Sequence, residues 1–103
     1  MIKRPQPPTV IICGNDILAV GAQRQARVRG INVPKDISIT GFDDIEVAQI
    51  TSPQLTTIHV PHRKMGMKAA TILIKKVETK SFNSATKLDV YLKIRESLDK
   101  PLI

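Results

Sequence analysis

Thr9-Val10-Ile11-Ile12-Cys13 runs into Gly14-Asn15-Asp16, and a second apolar run, Ile37-Ser38-Ile39-Thr40, ends the same way in Gly41-Phe42-Asp43-Asp44. Each reads as a strand closed by a glycine and followed by side chains rich in hydrogen-bonding oxygen. Between them, Ile17 to Arg29 carries helical spacing: Leu18, Ala22 and Ala26 recur at intervals of four, while Gln23, Arg24, Arg27 and Arg29 fall elsewhere. A strand–helix–strand unit places its two strands parallel, and ligands collect outside the carboxyl ends of such strands. Asn15 and Asp43 are therefore expected to face one crevice. A carboxylate accepts two hydroxyl protons and an amide both donates and accepts, which suits a neutral, hydroxyl-rich molecule.

Reading outward, Pro5, Pro7 and Pro8 make the first eight residues an extended lead-in. The β-branched run 9–13 has the composition of a strand buried on both faces, with Cys13 as a small hydrophobe inside it. Asp16 is placed to cap the helix, and Gly30 to end it in a left-handed turn, with Pro34 preventing its resumption. Phe42 reads as core and Asp44 as a loop-orienting group. Residues 45–54 show no clear period. Leu55 to Val60 alternates and is rich in β-branched residues, which predicts a third strand. Pro61 suits the first turn of a second helix, from Arg63 to Val77. Its apolar stripe is Met65, Ala69, Ile72 and Leu73, and its polar side Lys64, Lys68, Lys75 and Lys76. Phe82 to Thr86 is expected as a loop, and the alternating Lys87 to Arg95 as a closing strand.

The 103 residues suit one domain, and 42% hydrophobic composition is enough for a core, although only Phe42, Phe82 and Tyr91 are aromatic. A net charge of +7 invites a nucleic-acid reading. The basic residues, however, spread over the wet faces of two helices, and no aromatic residues interleave with them to stack bases. No apolar run approaches the ~20 residues that cross a bilayer, and the first residues hold no signal-peptide core. The lone Cys13 excludes an internal disulfide and fits a reducing compartment, so the cytoplasm is expected.

Catalysis finds little support. Ser97 and Asp99 have no nucleophile elbow to join a histidine in a triad. His59 and His62 straddle Pro61 without an acidic or thiol partner at ligand spacing, so no metal and no cofactor is expected. The helix start at Ile17 would suit an anion, but Asp16 and Asp43 beside it would repel one. A binding role, not an enzymatic one, is the expectation.

An ordered set of short motifs resembles the lactose-repressor (LacI/GalR) family of bacterial transcription regulators. Pro8-Thr9-Val10-Ile11 is followed by Asn15-Asp16 and Gly21-Ala22. Next come Gly30-Ile31-Asn32-Val33-Pro34 and Asp36-Ile37-Ser38-Ile39-Thr40-Gly41-Phe42-Asp43-Asp44. Pro53, Leu55-Thr56-Thr57, Pro61, Gly66 and Arg95-Glu96-Ser97 close the set. The resemblance implies an α/β, periplasmic-binding-protein-like (type I) partial domain, with a mostly parallel sheet flanked by helices. It implies that residues 1–58 belong to the C-terminal effector-binding subdomain. Residues 59–103 would form a crossover segment, a helix and a closing strand returning to the other subdomain. The DNA-binding domain would lie outside this chain.

By the same resemblance, Asn15 and Asp43 contact a small-molecule effector, a sugar or related polyol. A further family contact, a glutamine before the crossover proline, is replaced by Val60. Homodimers would pair through Leu18, Ala22, Gln25, Ile45, Val47 and Ile50. Operator DNA would be bound only through the missing domain, and no membrane is involved. The chain is thus expected to be the effector-binding and dimerisation portion of a sugar-type repressor. The alternative is a ligand-free scaffold fragment that self-associates, possibly by domain swapping, because half a cleft encloses a small molecule poorly.

Overall fold

The run at 9–13 forms a short strand, β1 (Val10–Ile12), and the run at 37–41 a second, β2 (Ser38–Thr40). They pair in parallel, Val10 with Ser38, Ile11 with Ile39 and Ile12 with Thr40. The structure is a computed structural model that describes residues 4–80 and 85–102. Between the strands lies α1 (Asp16–Val28). Its end is the expected one: the Gly30 N–H donates to the Arg27 carbonyl and the Ile31 N–H to that of Ala26. This doubly bonded closure needs a left-handed residue, and Gly30 sits at φ 71°.

Its start differs from expectation. Asn15, in extended backbone, is the cap, its side-chain oxygen accepting the Leu18 N–H at 2.9 Å. Asp16 is the first helical residue and is buried. The buried face is also turned from the predicted stripe. Asp16, Ala19, Gln23 and Ala26 face inward, whereas Leu18 is exposed. Small residues at 19 and 26 suit a helix lying close to its neighbours, since a Leu on that face would hold them apart.

The segment without period holds a single helical turn, α2 (Val47–Ile50), which buries Ala48. A third strand, β3 (Thr57–His59), follows, and parallel bridges pair Thr40 with Thr56 and Asp43 with His59. The closing strand, β4 (Tyr91–Lys93), is shorter than the predicted 87–95 and pairs antiparallel with β3. Ala19, Ile39, Ala48 and Leu55 make the fully buried core, with Ile11, Cys13, Ala22 and Val33 packed against it. Two expectations of burial fail. Ile12 is 79% exposed and Phe42 is 40% exposed. One face of β1 is therefore open.

Two compact units emerge, one comprising the described residues of Met1–His59 and Tyr91–Ile103, the other those of Val60–Val90. The β3–β4 ladder and hydrogen bonds from residues 95–99 bind the final segment to the first unit. In the second unit, α3 (His62–Thr79) begins after Pro61, whose carbonyl accepts the Met65 N–H at 2.9 Å. None of its residues is buried, the predicted stripe included, because the described residues of that unit form no second layer to cover it. Of the expected loop, Phe82 to Ser84 lie outside the described residues, and Ala85 and Thr86 have no regular structure.

Candidate functional site

The two predicted strand tips meet. Cys13 N–H donates to the Thr40 carbonyl at 2.9 Å, and beyond the strands Asp16 N–H donates to the Phe42 carbonyl at 3.0 Å. Asn15 and Asp43 flank that last bond, one residue before and one after its partners. Both are half-buried. The Asn15 side chain divides its chemistry: Oδ1 caps α1, and its amide nitrogen is engaged by no hydrogen bond among the described residues.

The turn bearing Asp43 is unusual. Asp43 has φ 111° and Asp44 φ 59°, two consecutive non-glycine residues in a region that side-chain-bearing residues rarely occupy. Such backbone persists only where its surroundings over-determine it. Here four groups do so. Phe42 is held through its carbonyl by Asp16 N–H, and Asp43 N–H donates to the Ile58 carbonyl at 3.0 Å. Asp44 is gripped by its side chain, and Ile45 N–H donates to Asp16 Oδ2 at 2.8 Å.

Asp16 is therefore a buried brace, not the cap that local sequence suggests. Its Oδ1 accepts the Thr57 hydroxyl at 2.6 Å while Oδ2 holds Ile45, so one carboxylate ties α1 to the turn and to β3. This explains Gly41. A Cβ there would lie 2.2 Å from Asp16 Oδ1 and 3.0 Å from Leu55 Cδ2, so the brace needs a residue without one.

Asp44 lies between two basic side chains: Oδ1 accepts from Arg95 Nη2 at 2.6 Å and Oδ2 meets His59 Nδ1 at 2.8 Å. Burial alone pushes its carboxyl upward. The hydrogen bonds and charges of His59 and Arg95 outweigh that and hold it below the usual carboxylate range. Tyr91 stacks on His59 with ring centroids 4.7 Å apart. An open hollow of about 380 Å³ is lined by these residues together with Gln49, Gln54 and Lys93. His59 is thus engaged by the Asp44 carboxylate, and among the described residues no three His, Cys, Asp or Glu side chains gather as metal ligands. Burial pushes the Cys13 thiol up, which disfavours a reactive thiolate.

Arg95-Glu96-Ser97 had a signature in the sequence but no visible purpose, and the structure supplies one. Arg95 Nη1 donates to the Leu55 carbonyl, and its backbone N–H to Thr56 Oγ1. Glu96 accepts the Gln54 N–H. Ser97, fully buried, donates its hydroxyl to the Ile39 carbonyl and accepts the Thr56 N–H at 2.8 Å. The tripeptide clamps the approach to β3 against β2. Ser97 Oγ spans two backbone groups, and is structural, not nucleophilic.

Of the predicted interface residues, Leu18, Gln25 and Ile50 are exposed, whereas Ala22, Ile45 and Val47 are half-buried; Ala22 packs on the core. Among the described residues no helix is long and apolar enough to cross a membrane.

Residues 1–98 match the periplasmic binding protein-like domain. The transcriptional repressor CytR of Escherichia coli (strain K12) is 40% identical over 98 residues, covering 94% of this chain and 29% of CytR. The lac repressor dimer bound to operator and the anti-inducer ONPF superposes at a TM-score of 0.81, with 32% identity over 87% of this chain and 32% of that one. The complex of the transcriptional regulator CelR with cellobiose gives a TM-score of 0.80, with 28% identity over 86% of this chain and 28% of that one. The curated relatives are transcriptional repressors, not enzymes, and the chain spans less than a third of their length. The matched domain, the ordered motifs and the parallel strand tips converge: the chain belongs to the periplasmic-binding-protein-like domain family, as a stretch of the effector-binding domain of LacI/GalR regulators.

Proposed function

We propose that this chain binds a small uncharged effector, a sugar or related polyol, for a bacterial LacI-type transcriptional repressor, with Asn15 and Asp43 as effector contacts. The observation that carries this reading is the adjacency of two half-buried polar tips, one amide and one carboxylate, at the carboxyl ends of a parallel strand pair. The relative CelR is complexed with cellobiose, in keeping with a hydroxyl-rich guest. The ligand would close two subdomains and shift the population between two arrangements of a dimer, which requires a differential affinity for the two. That dimer would use the exposed side of α1 and the segment after Asp44, at Leu18, Ala22, Gln25, Ile45, Val47 and Ile50. Operator DNA would be read by a separate domain in the cytoplasm; the lac repressor, to which this chain is similar, binds operator as a dimer.

Isothermal titration of the complete regulator against a panel of sugars and nucleosides tests the proposal. A hydrogen bond to a charged group contributes about 1.5–3 kcal/mol, so Asp43→Ala should weaken the bound panel member roughly 10- to 100-fold. Unchanged affinity in Asp43→Ala would remove Asp43 from the site. Asn15→Asp keeps the capping oxygen and deletes the amide donor, so it should weaken binding while leaving the helix intact.

A further inference from the structure

We infer that Asp44, gripped by Arg95 and His59, is the positioning residue that fixes the backbone presenting Asp43. This deepens the reading of Asp43 given above and rests on it. Both Asp44 oxygens are committed, Oδ1 to Arg95 at 2.6 Å and Oδ2 to His59 at 2.8 Å, and its side chain is 4% exposed. It is therefore placed to act through its neighbour and not on a ligand. Asp43 and Asp44 stand at φ 111° and 59°, and a turn so strained relaxes unless both ends are tied. Asp16 ties both ends, holding Phe42 before the strained pair and Ile45 after it. Asp44 ties the middle.

The partners of Asp44 are themselves anchored. Arg95 is bound to the Leu55 carbonyl and the Thr56 hydroxyl, and His59 is stacked on Tyr91. These anchors lie on β3 and on or just after β4, the strands that end or begin where the chain leaves the first unit at His59 and re-enters it at Tyr91. A single carboxylate thus links the Asp43 turn to both connecting strands. A change in the path of either strand reaches Asp43 through Asp44.

Backbone amide hydrogen exchange, read residue by residue by NMR, tests this without a ligand. The Asp43 N–H is bonded to the Ile58 carbonyl and reports the state of the turn. Asp44→Asn, and independently Arg95→Gln, should raise Asp43 amide exchange about tenfold more than they raise that of Ile39 and Gly41, which report the stability of the unit as a whole. Arg95→Lys, which keeps the charge but not the fork that also reaches the Leu55 carbonyl, should loosen the Asp43 amide less than Arg95→Gln does. A residue that merely stabilises the fold would raise exchange at all these amides together. Unchanged Asp43 exchange, a uniform rise, or equal loosening by Arg95→Lys and Arg95→Gln would overturn the inference. The two readings fail separately. An Asp43→Ala regulator that binds normally removes the effector contact, whereas an undisturbed Asp43 amide in Asp44→Asn removes only the positioning role.

Discussion

Gly41→Ala should be among the most damaging single-methyl changes in this chain. The added Cβ would meet Asp16 Oδ1 at 2.2 Å, with Leu55 Cδ2 at 3.0 Å and Asp16 Cα at 3.2 Å. Neither neighbour gives way freely, since Leu55 is fully buried in the core and Asp16 begins α1. The carboxylate must swing off, and its bonds to Ile45 N–H and the Thr57 hydroxyl break with it. Hydrogen bonds to a charged acceptor contribute about 1.5–3 kcal/mol each, so the loss should be about 3–6 kcal/mol. That is a large part of the ~5–15 kcal/mol that holds a domain together. Gly30→Ala is the control. Gly30 sits at φ 71° with nothing within 4 Å of an added Cβ, so it should cost only ~1–2 kcal/mol of backbone strain. The assay is urea unfolding followed by fluorescence of Tyr91, the single tyrosine in a chain without tryptophan, which lies in the same unit as Gly41. The reasoning is refuted if Gly41→Ala costs less than ~1 kcal/mol, or less than Gly30→Ala.

Ser97→Ala should cost about 2–4 kcal/mol in the same assay, because it leaves the Ile39 carbonyl and the Thr56 N–H without their buried partner; a loss under ~0.5 kcal/mol would contradict the clamp. Acid should weaken the first unit through Asp44. Its folded carboxyl titrates below its unfolded value near ~3.9, so the unfolded chain binds more protons and stability rises with pH. The contribution is present above that range and is lost as pH falls through the folded value. Asp44→Asn should flatten the acid limb of a plot of urea midpoint against pH, and an unchanged limb would deny the ion pairs their role.

Much of the fold is legible in local pattern. The helical spacing of 17–29 yields α1, and 63–77 falls within α3. The β-branched runs at 37–41 and 55–60 contain β2 and β3. Gly30 announces its left-handed turn because that requirement is local. What local pattern misses is set by partners distant in sequence. Asp16 looks like a cap because Asp commonly caps helices, yet its partners Ile45 and Thr57 lie 29 and 41 residues away. Asn15 looks like a ligand contact and is also the cap, since one side chain carries an acceptor and a donor. A one-turn helix such as α2 is too short for any period to register. Lys87 to Val90 alternate like a strand, but only Tyr91–Lys93 find a ladder partner in β3. The proposed contacts Asn15 and Asp43 were visible as two polar tips after two glycines. The Asp44–Arg95–His59 cluster was not, because nothing local joins residues 44 and 95.

The most direct measurement is a crystal structure of the complete regulator with the panel molecule it binds most tightly. The account predicts the Asn15 amide nitrogen and an Asp43 carboxylate oxygen within about 3.2 Å of hydroxyls on the same uncharged molecule. A ligand seated elsewhere, or touching neither residue, would contradict it.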